Sequence, residues 1–330
     1  MTTSNSVLLL LFDNCFHSGE ELANSLGISR SAIWKAIQAL RDKGLDIHSI
    51  RGKGYRLTRK IEFLDKDIIQ KALPISLHDS FEINTYFELS STNDFLLQHI
   101  HNSRDELRSQ VCLAEFQTQG RGRRGRVWHS PMGANLYTSL SWRHKQSPQA
   151  VSGFSLVAAL ALAKSLETLG ASDVGLKWPN DVLWNRKKLA GILLELIGES
   201  HGDQLLIIGI GVNVDMPDSA DASINQPYTD LKKVTGKLLS RNILAAEILS
   251  RIWEYFHIYE TDGMATLLPE WLARDTFLNE NVELIFPHQS IQGKVAGIDE
   301  QGSLLLDLSD GKRQAFQSGE ISMRMSGHVV

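Results

Sequence analysis

A chain of 330 residues and 36.9 kDa has room for two or three domains. Its 42% hydrophobic and 22% charged residues suit a globular protein, and 8 prolines with 25 glycines exclude a collagenous or linker-dominated chain. The formal charge is −4 overall but +4 over residues 1–60, so a small basic module precedes an acidic body and the two are expected to meet different partners. Two cysteines, Cys15 and Cys112, cannot form a disulfide framework, and the chain reads as intracellular, in the cytoplasm. The apolar run Val7 to Phe12 is too short for a signal peptide, and Phe154 to Ala163 is too short for a bilayer span, so no membrane partner is expected.

In chain order, Asn5 to Phe16 carries a leucine-rich stripe that predicts a short buried helix. Ser18-Gly19-Glu20-Glu21 has the form of a capping box, opening a second helix that Gly27 ends. Ser29 is a further N-cap, followed by Ile33, Ile37 and Leu40 at helical spacing up to Gly44. Two strand-like runs, Leu45 to Ile50 and Tyr55 to Thr58, flank the turn Arg51-Gly52-Lys53-Gly54, which completes a winged helix-turn-helix. In that reading Ser29, Arg30, Ser31, Trp34, Lys35 and Gln38 face a major groove, while Arg51 and Lys53 on the wing meet phosphate. The alternative is a winged helix that contacts only protein.

Leu64 to Leu73 reads as a short amphipathic helix. The body then alternates without a regular βαβ rhythm: strands over Phe81 to Leu89, Val111 to Phe116, Asn135 to Trp142, Val182 to Asn185, Ala190 to Ile197 and Leu205 to Val214. Helices are expected over Thr92 to Ile100, Phe154 to Leu169, Ile243 to Tyr259 and Met264 to Arg274. The last two strands of that set form a hairpin turning at Gly198 to Asp203. Val282 to Met323 is a series of short strands with turns at Pro287, Gly293, Asp299 to Gly302 and Asp310-Gly311, a small β-barrel pattern. The fold class is therefore α+β.

Four segments carry chemistry. Gly120-Arg121-Gly122-Arg123-Arg124-Gly125-Arg126 contains G-x-G-x-x-G, but Val127-Trp128-His129-Ser130-Pro131 follows where a dinucleotide fingerprint needs a helix, so that reading is rejected. Four guanidinium groups on a glycine-rich backbone suit phosphate and carboxylate oxygens, and their mutual repulsion predicts a loop that is disordered without ligand. A solvated basic turn or a nucleic-acid patch is the plainer alternative. Lys177-Trp178-Pro179-Asn180-Asp181 would present a lysine able to stabilise charge at phosphorus, an amide, and a carboxylate able to hold a metal or accept a proton; a plain Pro-Asn-Asp turn is the alternative. Arg186 to Glu195 brings Lys188 to a strand entrance. Gly209-Ile210-Gly211-Val212-Asn213-Val214 either lets a ligand approach the backbone or is a tightly packed core strand. The histidines and cysteines form no metal-ligand pattern, so no structural metal is expected, and without G-x-S-x-G a serine hydrolase is disfavoured.

Gln117 to Trp128, Lys177 to Asp181, Lys188 to Glu195 and Gly209 to Val214, preceded by Ser91-Thr92-Asn93, together resemble the biotin protein ligases. The winged helix narrows the resemblance to the bifunctional bacterial type, the biotin-operon repressors, over essentially the whole chain. The resemblance implies a winged helix over 1–63, a catalytic domain akin to class II aminoacyl-tRNA synthetases over 64–274, and a C-terminal SH3-like β-barrel over 275–330. It implies adenylation of biotin by ATP with Mg²⁺, then transfer to a lysine of the biotin carboxyl carrier protein of acetyl-CoA carboxylase. By similarity, Ser91, Thr92, Asn93 and Gln117 hold the biotin ring and tail. Arg121, Gly122 and Arg123 cover the carboxylate and adenylate phosphate, and Lys188 also reaches the carboxylate. Lys177 faces the α-phosphate, Asn180 belongs to the same adenylate set, and Asn213 with Tyr228 lies at the adenine. Asp181 is the hypothesised group that orients or deprotonates the acceptor lysine. Biotinyl-AMP is expected to stabilise a homodimer that sets two winged helices on biotin operator DNA.

Two rivals remain at this stage: a lipoate or octanoate ligase on a related fold, and a non-enzymatic biotin sensor. The arginine-glycine loop and the repressor head argue against the first, and Lys177 with the arginine loop argues against the second.

Overall fold

The computed structural model describes residues 2–100, 108–144, 151–197, 204–217, 224–319 and 321–326; the hairpin turn expected at Gly198 to Asp203 lies outside them. The N-terminal unit consists of α1 (Thr3–Leu10), α2 (Gly19–Leu26), α3 (Arg30–Asp42), β1 (Ile47–Ile50) and β2 (Gly54–Leu57). The capping box forms: Glu21 N–H donates to Ser18 Oγ at 3.0 Å and Ser18 N–H to Glu21 Oε2 at 2.7 Å. Gly27 closes α2 at φ +65°, a left-handed conformation that glycine adopts without strain. α1 ends at Leu10, well before Phe16. There the Asp13 side chain accepts from Cys15 N–H at 2.8 Å, a local turn that competes with helix. Val7, Leu11, Leu22, Ile33, Ile37 and Leu40 make the shared core, on which the wing closes through Ile47 and Leu57, directly opposite each other in register.

The chain continues through α4 (Lys66–Ala72), β3 (Phe81–Tyr86), α5 (Thr92–His99), β4 (Ser109–Ala114), β5 (Leu136–His144) and α6 (Val151–Thr168). After these come β6 (Val174–Lys177), β7 (Asp181–Trp184), β8 (Lys187–Ile197), β9 (Gln204–Val212), α7 (Leu231–Thr235), α8 (Arg241–Asp262) and α9 (Met264–Leu272). The seven strands form one sheet in the order β3-β4-β5-β9-β8-β7-β6, with only β3 and β4 parallel. Along β9 the side chains alternate, so Leu206, Ile208, Ile210 and Val212 join the large core under α6 and α8, while Ile207 meets Leu96 of α5 and Cys112 on the other face. α6 has the length and composition of a membrane span, yet 67% of it is buried as a core helix of this domain.

An ion pair at the seam between the N-terminal unit and the body is buried on both sides. Arg241 Nη2 lies 2.7 Å from Glu115 Oε2, each side chain 4% exposed, and Leu64 N–H donates to Glu115 Oε1 at 2.5 Å. Burial without such partners would be costly for either charge.

The C-terminal strands β10 (Asn281–Ile285), β11 (Ser290–Ile298), β12 (Leu304–Asp307), β13 (Arg313–Phe316) and β14 (Ser322–Met325) form an antiparallel sheet ordered β13-β12-β11-β10-β14. The turns at Asp299 to Gly302 and Asp310-Gly311 are present. Gly293 is not a turn: it sits inside β11, where a side chain would meet Asp307 O at 3.0 Å, so the glycine serves close strand packing.

Candidate functional site

The floor of the site is the face of β8 and β9 turned away from α6 and α8. Gly191 is paired with Gly211, and Leu193 with Gly209. A Cβ on Gly209 would stand 2.2 Å from Asn93 Oδ1, and one on Gly211 2.4 Å from Trp128 Cε2. The glycines thus permit close approach, and what approaches here is the protein's own Asn93 and Trp128.

Beside this floor lies a buried polar cluster. Ser91 caps α5, and Ser91, Thr92 and Asn93 are each no more than 4% exposed. Thr92 donates to Gln117 Oε1 from its N–H at 2.9 Å and from Oγ1 at 3.2 Å, and Gln117 Nε2 reaches Ser130 Oγ at 3.2 Å. Ser139 Oγ lies 2.5 Å from Asn93 Oδ1 and 2.7 Å from Thr92 Oγ1, and Asn93 Nδ2 donates to Glu195 Oε2 at 2.7 Å. Of the four residues expected at the biotin ring, Thr92, Asn93 and Gln117 therefore share one network, and Ser91 adjoins it with its Oγ accepting from Asp94 N–H. Ser130, Ser139 and Glu195 belong to it as well, and sequence reasoning missed their part. A polar residue interrupting an apolar strand was the available signal for Ser139.

The cations come from two other elements. The hairpin between β6 and β7 sets Lys177 opposite Asp181, and Asp181 Oδ1 is 2.7 Å from Lys188 Nζ. Burial pushes the Lys177 amine below the ordinary lysine value; Asp181 opposes that shift, while Lys188, Arg126 and Arg324 reinforce it. Asn180 Nδ2 donates to Ile192 O at 2.6 Å, and Asn180 Oδ1 accepts from Arg123 at 3.1 Å. Asn180 is thus a bracket between β8 and the arginine loop.

The loop itself departs from expectation. Each guanidinium has a polar partner: Arg121 with Asp94 and Glu195, Arg123 with Asn180 and Gly319 O, Arg124 and Arg126 with Ser322 Oγ. These acceptors offset the mutual repulsion that had predicted disorder. Gly122 N–H bonds Arg126 O and Trp128 N–H bonds Gly120 O, closing the loop into a tight hairpin, with one short 3₁₀ turn where a dinucleotide motif would open a helix. Trp128 lies under Lys188, whose Nζ is 5.4 Å from the ring centroid.

Asn213 is buried and its Nδ2 donates to Lys188 O at 3.3 Å and Thr229 O at 3.0 Å, so the amide ties the entrance of β8 to the segment carrying Tyr228. Tyr228 bridges Lys188 through the backbone. Lys188, Asn213 and Tyr228 are therefore neighbours.

On the N-terminal unit, Arg30, Ser31, Trp34, Lys35, Arg51 and Lys53 are exposed and Gln38 is half-buried. Ser29 caps the helix, as expected of it: its Oγ accepts from Ala32 N–H at 3.2 Å and bonds Ser31 Oγ at 2.9 Å.

Known proteins match along the whole chain. Residues 86–213 match the biotin/lipoate A/B protein ligase family, residues 3–56 an HTH domain, and residues 277–324 the biotin protein ligase C-terminal domain. The bifunctional ligase/repressor BirA of Salmonella typhimurium is 43% identical and that of Escherichia coli 41%, each over 98% of both chains. The BirA of Bacillus subtilis is 32% identical over 92% of this chain and 93% of its own. The structure of the Aquifex aeolicus biotin protein ligase in complex with biotin and ATP is 30% identical, with a TM-score of 0.63, over 74% of this chain and 99% of that one.

Proposed function

The chain belongs to the family of bifunctional biotin ligase/repressors, and on that premise we propose how its residues divide the work. It is a biotin–protein ligase that is also a DNA-binding repressor. The first step joins the biotin carboxylate to the α-phosphate of ATP and releases pyrophosphate; the second moves the biotinyl group to a carrier-protein lysine and releases AMP.

A carboxylate attacking a polyanion meets charge repulsion, so cations are needed on both reactants. The gathering of Lys177, Lys188 and Arg123 beside the buried Thr92-Asn93-Gln117 network, which Ser91 adjoins, is the observation that carries this reading. The network receives the ureido ring and tail. Arg121, Gly122, Arg123 and Lys188 take the carboxylate and the adenylate phosphate, Lys177 the α-phosphate, and Asn213 and Tyr228 border the adenine. Asn180 acts by holding Arg123. Among the described residues no three His, Cys, Asp or Glu side chains gather, and Asp181 is bound to Lys188, so Mg²⁺ would take its donors chiefly from the phosphates of ATP. When bound there it supplies charge neutralisation on the phosphates.

Asp181 orients or deprotonates the acceptor amine once a ligand anion draws Lys188 away. Asp181→Asn then slows transfer more than adenylation, and equal losses would remove the assignment. The acceptor is the biotin carboxyl carrier protein of acetyl-CoA carboxylase, and the reaction is cytoplasmic. The domains divide at 63/64 and 274/275. The mostly antiparallel central sheet fits a synthetase-like domain, and the bulged five-stranded sheet fits an SH3-like barrel. Biotinyl-AMP stabilises a homodimer that presents two winged helices to the operator.

Biotin-dependent exchange of labelled pyrophosphate into ATP, with lipoate and octanoate as controls, tests the ligase reading. Exchange with biotin alone supports it. Exchange with lipoate instead, or biotin binding without exchange, overturns it in favour of the sister ligases or a sensor.

A further inference from the structure

We propose that Trp34 reads the C5-methyl group of a thymine in each half-site of the operator, an inference that rests on the repressor reading above. α3 buries Ile33, Ala36, Ile37 and Leu40 against the core of the N-terminal unit. At 3.6 residues per turn, Arg30, Trp34 and Gln38 form a row along one flank of the exposed surface, and Ser31 and Lys35, in the row beside it, lie opposite the buried stripe. The indole stands between Arg30 and Lys35 around the helix, and it is 55% exposed. Arg30 and Lys35 flank it on the helix, and the wing turn exposes Arg51 and Lys53.

Both rows are open to a major groove, which carries phosphates at its rims and base edges at its floor. An indole carries no charge to pair with a phosphate. Its single N–H is a lone donor on a large apolar plate, whereas bases are read by paired donors and acceptors or by apolar contact. The one apolar group that unmodified bases offer in the major groove is the thymine methyl.

Deoxyuridine differs from thymidine by that methyl alone and keeps every hydrogen-bonding group, so it isolates the contact. A random duplex pool is selected on the full-length protein with biotin, ATP and Mg²⁺ present, and each thymine of the enriched duplex is replaced in turn by deoxyuridine. At one or two thymines per half-site the exchange should weaken wild-type binding about fourfold, the value of one buried methyl, and about fifteenfold when made in both half-sites. Trp34→Ala should bind more weakly and lose the sensitivity at those thymines, while Trp34→Phe should keep part of it. The exposed position of Trp34 means that neither change opens a cavity. Equal wild-type binding of thymine and uracil duplexes, or undiminished sensitivity in Trp34→Ala, overturns the inference and leaves the repressor reading intact. A pool from which nothing is enriched overturns both.

Discussion

Glu195 joins Asn93 to the arginine loop: its Oε2 accepts from Asn93 Nδ2 at 2.7 Å while its Oε1 lies 3.1 Å from Arg121 Nη2. One carboxylate thus fixes the amide of the buried network and also holds a cation that the ligand's carboxylate would claim. The two roles separate by substitution. Glu195→Gln keeps an acceptor for Asn93 and removes the charge that competes for Arg121, so the KM for biotin should fall a few-fold with kcat nearly unchanged. Glu195→Ala loses both roles and should raise KM. Because the Arg121 side chain is 41% exposed, either change should cost less than about 1 kcal/mol of stability through this ion pair. Pyrophosphate exchange at varied biotin measures both constants; a rise of KM in both variants would mean that Glu195 meets the ligand directly.

Gly211 tests the glycine floor. A methyl group there would overlap the Trp128 ring at 2.4 Å, and a side-chain ring shifts more easily than the paired backbones of β8 and β9. Gly211→Ala should therefore displace Trp128 more than it unfolds the sheet. The expected result is a change in tryptophan emission and a tenfold or greater loss of biotin affinity, with the thermal midpoint shifted by only a few degrees. A large fall in the midpoint with emission unchanged would show that the backbone, and not Trp128, yields.

How far the sequence discloses this site depends on which distances the chain itself sets. The capping box at Ser18 and the hairpin Lys177 to Asp181 are local, so spacing alone marks them. Ser139 is different. It reaches Asn93 because β5 runs beside β9 and puts Ser139 opposite Gly209, a register made by residues 70 positions apart. Likewise the arginine loop looked unsupported because its acceptors, Ser322 and Gly319, lie nearly 200 residues later. Like charges are visible in a sequence, whereas the carbonyl and hydroxyl groups that accommodate them are brought by the fold.

Lys177 should show in the alkaline limb of the rate. Burial is the largest influence on this amine and lowers its pKa, with Lys188, Arg126 and Arg324 adding to the shift. The protonated form is the one that can oppose phosphate charge, so kcat/KM for ATP should decline at a lower pH than an ordinary lysine would give. Lys177→Arg should reduce the rate and flatten that limb, since a guanidinium keeps its proton. The sign for stability is separate: below its lowered pKa the buried cation opposes folding, and this cost is relieved as pH rises through that value. An alkaline limb identical in wild type and Lys177→Arg would assign the titration to another group.

Asp275 stands where the chain leaves α9, in backbone contact with Leu176 next to Lys177. Burial raises its carboxyl from 3.8 to about 6, against the opposing N–H donors of Phe277 and Leu278, and its Oδ2 is buried without a hydrogen-bond partner. The folded chain therefore holds this proton more tightly than the unfolded chain. The group costs nothing below about pH 3.8, its cost grows as pH rises from there through about 6, and above that the cost is complete, on the order of 3 kcal/mol. Asp275→Asn keeps an acceptor for Phe277 N–H and carries no charge to bury. Its midpoint should exceed that of the wild type by several degrees at about pH 8, and the difference should shrink or vanish near pH 4.5. Thermal melts across that range separate this from a packing effect, because a change in packing would shift the midpoint by the same amount at both ends. A pH-independent difference would mean that Asp275 is ionised in the folded chain over the whole range, with water reaching Oδ2.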